Sequence, residues 1–376
     1  MRPAIWGVGT TSFGKQPGRS AGALVREAVH EAFADADVTE VDAVYAGTVF
    51  GAPGSTQRAL QTTGVIDVPI VTVENACASG TTAFHEAAQA VSTGRYERVL
   101  ALGFETMTTQ FATAIVPEET DREGRTGLAM PGIYAMAASR YVAEFGVTPA
   151  QLAAVAVKNR RHGAANPRAQ HGSVVTAQEV LASRMIADPL TLLQCCSISD
   201  AAAAAVIGPP RHDREVLLRG SALCSGGLWD HRCTRVWGWN LINRTAELAY
   251  QTAGIGPEDA DLFEVHDAFT IGEIVTVEAL GLAKLGDGAQ LAVDGTSALG
   301  GRSPVNPSGG LLARGHPLGA TGLAQVAEAV WQLRGRARNR QVDGARLAVV
   351  ETMGGGAAGV DGNGCVVAVL EGVGPT

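Results

Sequence analysis

The sequence predicts an α/β protein made of two related halves, each a mostly parallel sheet covered by helices on both faces. Three observations carry this expectation. At 376 residues the chain is long for a single hydrophobic core, so two core-forming units are expected. The composition is 46% hydrophobic but only 5% aromatic, with 47 glycines, which favours closely packed layers. A set of elements also recurs: acidic loop, buried strand, Gly/Ser-rich turn, Ala-rich helix, buried strand.

In the first half, Asp42 to Gly47 is the acidic loop and strand, and the turn Asn75-Ala76-Cys77-Ala78-Ser79-Gly80 follows. The helix runs through Ala83, Ala87 and Val91, and the closing strand is Val99 to Gly103. In the second half, Asp261 to His266 precedes the turn Val305 to Gly310. The helix through Ala324, Ala327 and Val330 then leads to the strand Leu347 to Val350. Strands joined by helices imply parallel pairing, with functional groups at the strand ends where turns enter helices. The expected division is 1–112 for the first half, 113–193 for an inserted subdomain, 194–212 for the last part of the first half, and 213–376 for the second half. The insert is polar from Glu118 to Arg125 and basic from Lys158 to His162, and its different character suits a lid or a substrate-contacting element. The basic cluster is read as a solvated helix face, with contact to substrate phosphates as the alternative.

A formal charge of −8 argues against a nucleic-acid surface, so no DNA or RNA partner is expected. There is no apolar run long enough to span a bilayer. The first residues read as a strand ending at Gly7 or Gly9 rather than as a signal peptide, and a cytoplasmic location is expected. None of the six cysteines forms a CxxC pair, so neither a zinc site nor a disulfide framework is suggested.

Cys77 stands where a strand gives way to a helix beginning near Ser79. Free N–H groups and the positive end of the helix dipole there favour the thiolate, which is the nucleophilic form. His316 lies in Gly315-His316-Pro317, where glycine allows a sharp turn and proline fixes its direction. An imidazole held there can take a thiol proton or donate to an oxyanion. His266 ends an apolar strand, and Asp267 is expected to cap the helix beginning near Phe269 or to orient its neighbour. Gly354, Gly355 and Gly356 follow the last buried strand but one and could bring backbone N–H groups to a carbonyl oxygen. Adjacent Cys195 and Cys196 point to opposite sides, and packing is the expected use of both. His30, His85, His162, His171, His212 and His231 lie in no motif.

Four motifs in this order, the Cys77 turn, His266-Asp267-Ala268-Phe269, Asn306-Pro307-Ser308-Gly309-Gly310 and Gly315-His316-Pro317, resemble the thiolase superfamily over nearly the full length. Within it the chain is similar to sterol-carrier-protein-2-type thiolases and to thiolases that work with small acyl-CoA-binding subunits. The resemblance implies a five-layered αβαβα fold of two repeated halves. It also implies cleavage of a 3-oxoacyl-CoA with coenzyme A, or the reverse Claisen condensation, through an acyl-cysteine.

Carried onto this chain, the nucleophile is Cys77 and its base is His316. His266 would help form one oxyanion hole, backbone N–H groups at Cys77 and Gly355 another, and Gly354 and Asn306 would lie on the substrate side. The resemblance implies coenzyme A as co-substrate, no tightly bound cofactor and no metal. It implies a homodimer or higher oligomer, with a small OB-fold zinc-ribbon subunit as a further partner.

One departure stands out. Many thiolases carry a second cysteine before the C-terminal glycines, where this chain has Thr352 and Met353, or in the HDCF motif, where it has Ala268. Proton transfer at the α-carbon then falls to His266, His316, a water or another residue, since Cys365 lies inside the last strand. Alternative readings are a decarboxylating condensing enzyme, a thiolase-like retro-aldolase and a non-catalytic lipid carrier. Pocket shape is expected to come from the insert and from Trp229, Trp237 and Trp239.

Overall fold

The computed structural model describes residues 1–111, 115, 120–212, 215–230 and 232–372. The first half runs β1 (Ala4–Thr10), α1 (Ala21–Ala36), β2 (Ala43–Gly47), α2 (Ser55–Leu60), β3 (Ile70–Val73), α3 (Ser79–Ser92) and β4 (Val99–Thr106). A middle segment contributes α4 (Met130–Phe145), α5 (Pro149–Ala164), α6 (Ala177–Ala182) and a ribbon of β5 (Met185–Ala187) and β6 (Leu190–Thr191). The chain then returns as β7 (Asp200–Gly208). The second half opens with β8 (Val216–Cys224), α7 (Trp239–Ala253), β9 (Leu262–Glu264), α8 (Thr270–Ala279) and α9 (Gln290–Val293). It closes with α10 (Gly310–Arg314), α11 (Leu318–Leu333), β10 (Leu347–Gly354) and β11 (Gly364–Glu371).

The repeat read from sequence reappears as topology. The sheet order is β3-β2-β4-β7-β1-β8-β11-β10-β9, so β2-β4-β7-β1 in one half mirrors β9-β10-β11-β8 in the other. The halves meet where Ala4 and Ile5 pair with Leu217 and Val216. Strand direction is mixed rather than mostly parallel. Among the described strands of the large sheet, β2 pairs parallel with β3 and β4, and β9 with β10; the other strand pairs are antiparallel. Only strands joined through a helix can run parallel, whereas β10 and β11 are linked by a loop too short for a crossover.

The layers follow from which helix faces are apolar. Helix α1 covers β1 and β7 with Leu24, Val25, Ala28 and Val29. Helices α7 and α8 lie with the core of the second half. Between the halves, α3 and α11 pack on each other and on strands of both. Helix α11 is buried on nearly every side, as an interior helix must be. Its approach to α3 is close: a Cβ on Gly80 would lie 2.4 Å from the carbonyl oxygen of Gly319. That close approach brings together the N-termini of α3 and α11, the two ends that carry Cys77 and His316.

The middle segment is not a separate polar appendage. Helix α5 packs against α8, α9 and α10, and Tyr134, Ala138 and Tyr141 of α4 join the second half's core. Lys158, Asn159, Arg160 and His162 are buried, which corrects both the solvated-face and the phosphate-contact readings. Lys158 is ion-paired to Glu273 at 2.7 Å and donates to the carbonyl of Val305. Glu118, Glu119, His231 and the expected boundary between 112 and 113 lie outside the described residues. So does residue 213 at the last boundary. Among the described residues no helix is long and apolar enough to cross a membrane.

Candidate active site

Cys77 sits on a strained elbow. Ala76 before it adopts φ 48°, a left-handed conformation that costs a non-glycine residue about 1–2 kcal/mol. Local bonds hold it there: Ala76 N–H donates to Glu74 Oε1 at 2.6 Å, and Ser79 Oγ donates to the carbonyl of Ala76 at 2.6 Å. The Asn75 N–H in turn donates to Ser79 Oγ. The equivalent turn of the second half repeats the device, with Asn306 at φ 55°.

The thiol faces His316, whose Nε2 is 3.2 Å from Cys77 Sγ. On its other side His316 Nδ1 is 2.7 Å from Thr321 Oγ1, and that hydroxyl donates its one proton to the carbonyl of Pro317. Thr321 therefore accepts from His316, so Nδ1 carries the ring proton and Nε2 offers its lone pair to the thiol. Burial first, and then the Arg314 guanidinium, hold His316 well below the usual imidazole pKa. It is thus a neutral base.

Burial also decides the state of the thiol. Met107 and Leu318 pack with Cys77, with Val49, Phe50, Phe111 and Ile198 around them. The pKa of Cys77 is pushed up to about 12 by desolvation, and the charges of Glu74 and Glu105 add to the rise. The N–H groups of Cys77 and Gly355 pull the other way without winning. The expectation of a thiolate favoured by the helix end is therefore corrected: the resting group is a thiol, and the base 3.2 Å away is what makes it a nucleophile.

His266 joins this pair. Its ring is 5.2 Å from that of His316 and tilted 67°, and ligating atoms of Cys77, His266 and His316 all lie within 4.8 Å of one another. His266 Nε2 is buried without a hydrogen-bond partner, and burial pushes its pKa down to about 3. Its backbone N–H is held by Glu351 Oε2 at 3.0 Å. A narrow cavity beside it is walled by Tyr134, Trp237, Ile271, Val275 and Met353. Tyr134 stacks on Phe269, with centroids 4.3 Å apart, and meets Trp237 edge-on.

The glycines act through close approach. A Cβ on Gly354 would stand 2.0 Å from the carbonyl oxygen of Asn75, and one on Gly355 would stand 2.3 Å from the Trp237 ring. Gly355 thereby reaches Cys77 with its N–H, while Gly354 buttresses the elbow. Asn306 is placed differently from a substrate-side residue. Its Oδ1 accepts from Val265 N–H at 2.8 Å and its Nδ2 donates to Glu273, so both ends are committed behind His266. Asp267 caps a helix, but not the one beginning near Phe269: it accepts from Leu311 N–H at 2.6 Å and Leu312 N–H, at the start of α10. Trp237 lines the cavity, whereas Trp239 lies under Arg235.

Sequence reasoning did not find Thr321, which carries no motif signal beyond a hydroxyl one turn into α11. His162 and His85 are structural, bonded to the carbonyl of Asn306 and to Ser221 Oγ.

Comparison with known proteins identifies the family. The family described as "Thiolase, N-terminal domain" matches residues 4–210, and "Thiolase C-terminal domain-like" matches residues 231–360. An acetyl-CoA acetyltransferase of Methanothermobacter thermautotrophicus is 40% identical over 94% of this chain and 96% of its own length. Human sterol carrier protein 2 is 36% identical over 95% of this chain and 70% of its own. Among solved structures, the Ltp2-ChsH2(DUF35) aldolase has a TM-score of 0.84 and 27% identity, covering 99% of this chain and 98% of that one. With its fold, both domain matches and full-length relatives in accord, the chain belongs to the thiolase family and is an acyltransferase.

Proposed function

We propose that the enzyme cleaves a 3-oxoacyl-CoA with coenzyme A as co-substrate, or runs the reverse Claisen condensation, through an acyl group carried on Cys77. The observation that carries this reading is the 3.2 Å contact between Cys77 Sγ and an imidazole nitrogen left unprotonated by Thr321. His316 takes the thiol proton as sulfur attacks the 3-oxo carbon. The carbon–carbon bond then breaks and the shorter acyl-CoA leaves as its enolate. Coenzyme A next attacks the acyl-cysteine, and His316 returns the proton to Cys77. Dividing the cleavage into two acyl transfers lowers each barrier.

The N–H groups of Cys77 and Gly355 stand beside the sulfur, where they can stabilise the oxygen of the attacked carbonyl. His266, with its unpartnered Nε2, is the group we assign to the thioester oxygen of the leaving acyl-CoA. The apolar side chains around Cys77 suit an apolar acyl group. Asn306 and Gly354 serve by holding the backbone that presents these donors.

We read the working assembly as a homodimer or higher oligomer built on the open edge strand β3, which exposes Val71 and follows the exposed Ile66. A small OB-fold zinc-ribbon subunit that delivers acyl-CoA is the further partner. Similarity to a solved assembly named for two proteins, Ltp2 and ChsH2(DUF35), supports a two-subunit enzyme.

Intact-protein mass spectrometry tests the cycle. Wild type mixed with a panel of 3-oxoacyl-CoA thioesters should gain one acyl mass that free coenzyme A removes, and Cys77→Ala should gain none. Absence of an adduct with every substrate, with the companion subunit present, would refute it. The name of the same solved structure favours a second reading, a retro-aldolase. In that case Cys77→Ala would retain turnover.

A further inference from the structure

The cleavage written above leaves an enolate that must gain a proton; with the proton of Cys77 kept on His316 for its return to sulfur and His266 assigned to the oxygen, the scheme calls for a further acid. The segment from Cys196 to Ile198 is strapped between both histidine motifs. Cys196 N–H donates to the carbonyl of Ala268 at 2.8 Å, His316 N–H donates to the carbonyl of Ser197 at 2.9 Å, and Cys195 and Phe269 form an antiparallel bridge.

That bridge sets Cys196 directly across from Ala268. In antiparallel pairing, residues opposite one another present side chains to the same face with Cβ atoms about 5 Å apart. Cys195 faces the other way, its Sγ 3.3 Å from the carbonyl of Thr191. Cys196 is half-buried. Both cysteines pack against the core of the second half, as expected, but Cys196 alone is set across from Ala268.

We propose that Cys196 is the acid and base at the α-carbon, an assignment that rests on the thiolase reading. In cleavage, the Cys196 S–H bond breaks and its proton goes to the enolate carbon, which releases the shorter acyl-CoA and leaves a Cys196 thiolate. The thiolate takes the proton of the incoming coenzyme A thiol, whose sulfur attacks the acyl-Cys77. In condensation the thiolate removes the α-proton instead. Burial holds the resting Cys196 as a neutral thiol, the form cleavage requires.

The test compares full-length wild type, Cys196→Ala, Cys196→Ser and Cys195→Ala. Cys77 is acylated with p-nitrophenyl thioacetate, whose leaving thiolate needs no proton, and read by intact mass. Thiolysis of the 3-oxoacyl-CoA that labels wild type and deuterium uptake from D2O into the methyl group of acetyl-CoA are then measured. Both Cys196 variants should acylate at close to the wild-type rate yet lose about 10²-fold or more in thiolysis and deuterium uptake. Cys195→Ala should match wild type. Cys196→Ala or Cys196→Ser with wild-type thiolysis and exchange would overturn the assignment. Failure of wild type itself to acylate at Cys77 would instead overturn the reading beneath it.

Discussion

His316 Nδ1 lies 2.7 Å from Thr321 Oγ1, and this contact, not the one to the thiol, fixes which imidazole nitrogen meets Cys77. Because the hydroxyl proton is already given to Pro317, the tautomer is set by residues that never touch substrate. Thr321→Val keeps the shape and removes the acceptor. It should slow acylation of Cys77 by about 10²-fold, measured as the rate of mass gain, while Thr321→Ser stays near wild type. Equal rates for Thr321→Val and wild type would remove the tautomer argument.

The thiol's raised pKa has a direct signature. A folded-state value near 12 means that the thiolate fraction keeps growing as pH rises toward it. Alkylation of Cys77 by iodoacetamide, followed by peptide mass spectrometry, should increase about tenfold per unit between about pH 7 and about pH 10 without levelling. A plateau near neutrality would mean that Cys77 and His316 rest as an ion pair instead.

At Gly354 the prediction concerns the elbow rather than the chemistry. A methyl group there meets the carbonyl of Asn75 at 2.0 Å, backbone against side chain with no flexible end to yield. Gly354→Ala should cost about 1–3 kcal/mol in urea unfolding and abolish Cys77 acylation by displacing the turn. A crystal structure of the variant with an unmoved elbow would contradict it.

The Lys158–Glu273 pair is buried on both sides, with side-chain exposures of 4% and 3%. Lys158→Met leaves Glu273 without its cation and should destabilise the fold by about 3–5 kcal/mol. Adding Glu273→Gln should restore part of that loss, because the orphaned charge goes with it. Denaturant midpoints of the two variants decide the point.

The legible parts of the fold and site were those that local chemistry dictates. The strands around Val44 and Val349 and the helices through Ala87 and Ala327 declared themselves by apolar runs and periodicity. Cys77 and His316 stood out because glycine and proline hold a reactive side chain at a helix entrance. What escaped was set by distant partners. Lys158 looked solvated because Glu273 arrives from another helix, and Asp267 was assigned to the nearest helix although α10 is the one it reaches. The thiol's pKa follows the same logic: a helix end is a local feature, whereas the burial that outweighs it comes from Met107, Leu318 and Phe111, far apart in sequence.

Cys77 belongs to one half of the repeat, and His266, His316 and Gly355 to the other, while among the described residues the strands of the two halves pair at the short seam of Ala4 and Ile5. The reacting groups therefore work as a gauge stretched across the molecule. A slip of an ångström between halves leaves every strand intact and parts sulfur from nitrogen. Catalysis should fade in mild denaturant while circular dichroism still registers a full complement of helix, so that the enzyme falls silent before it unfolds.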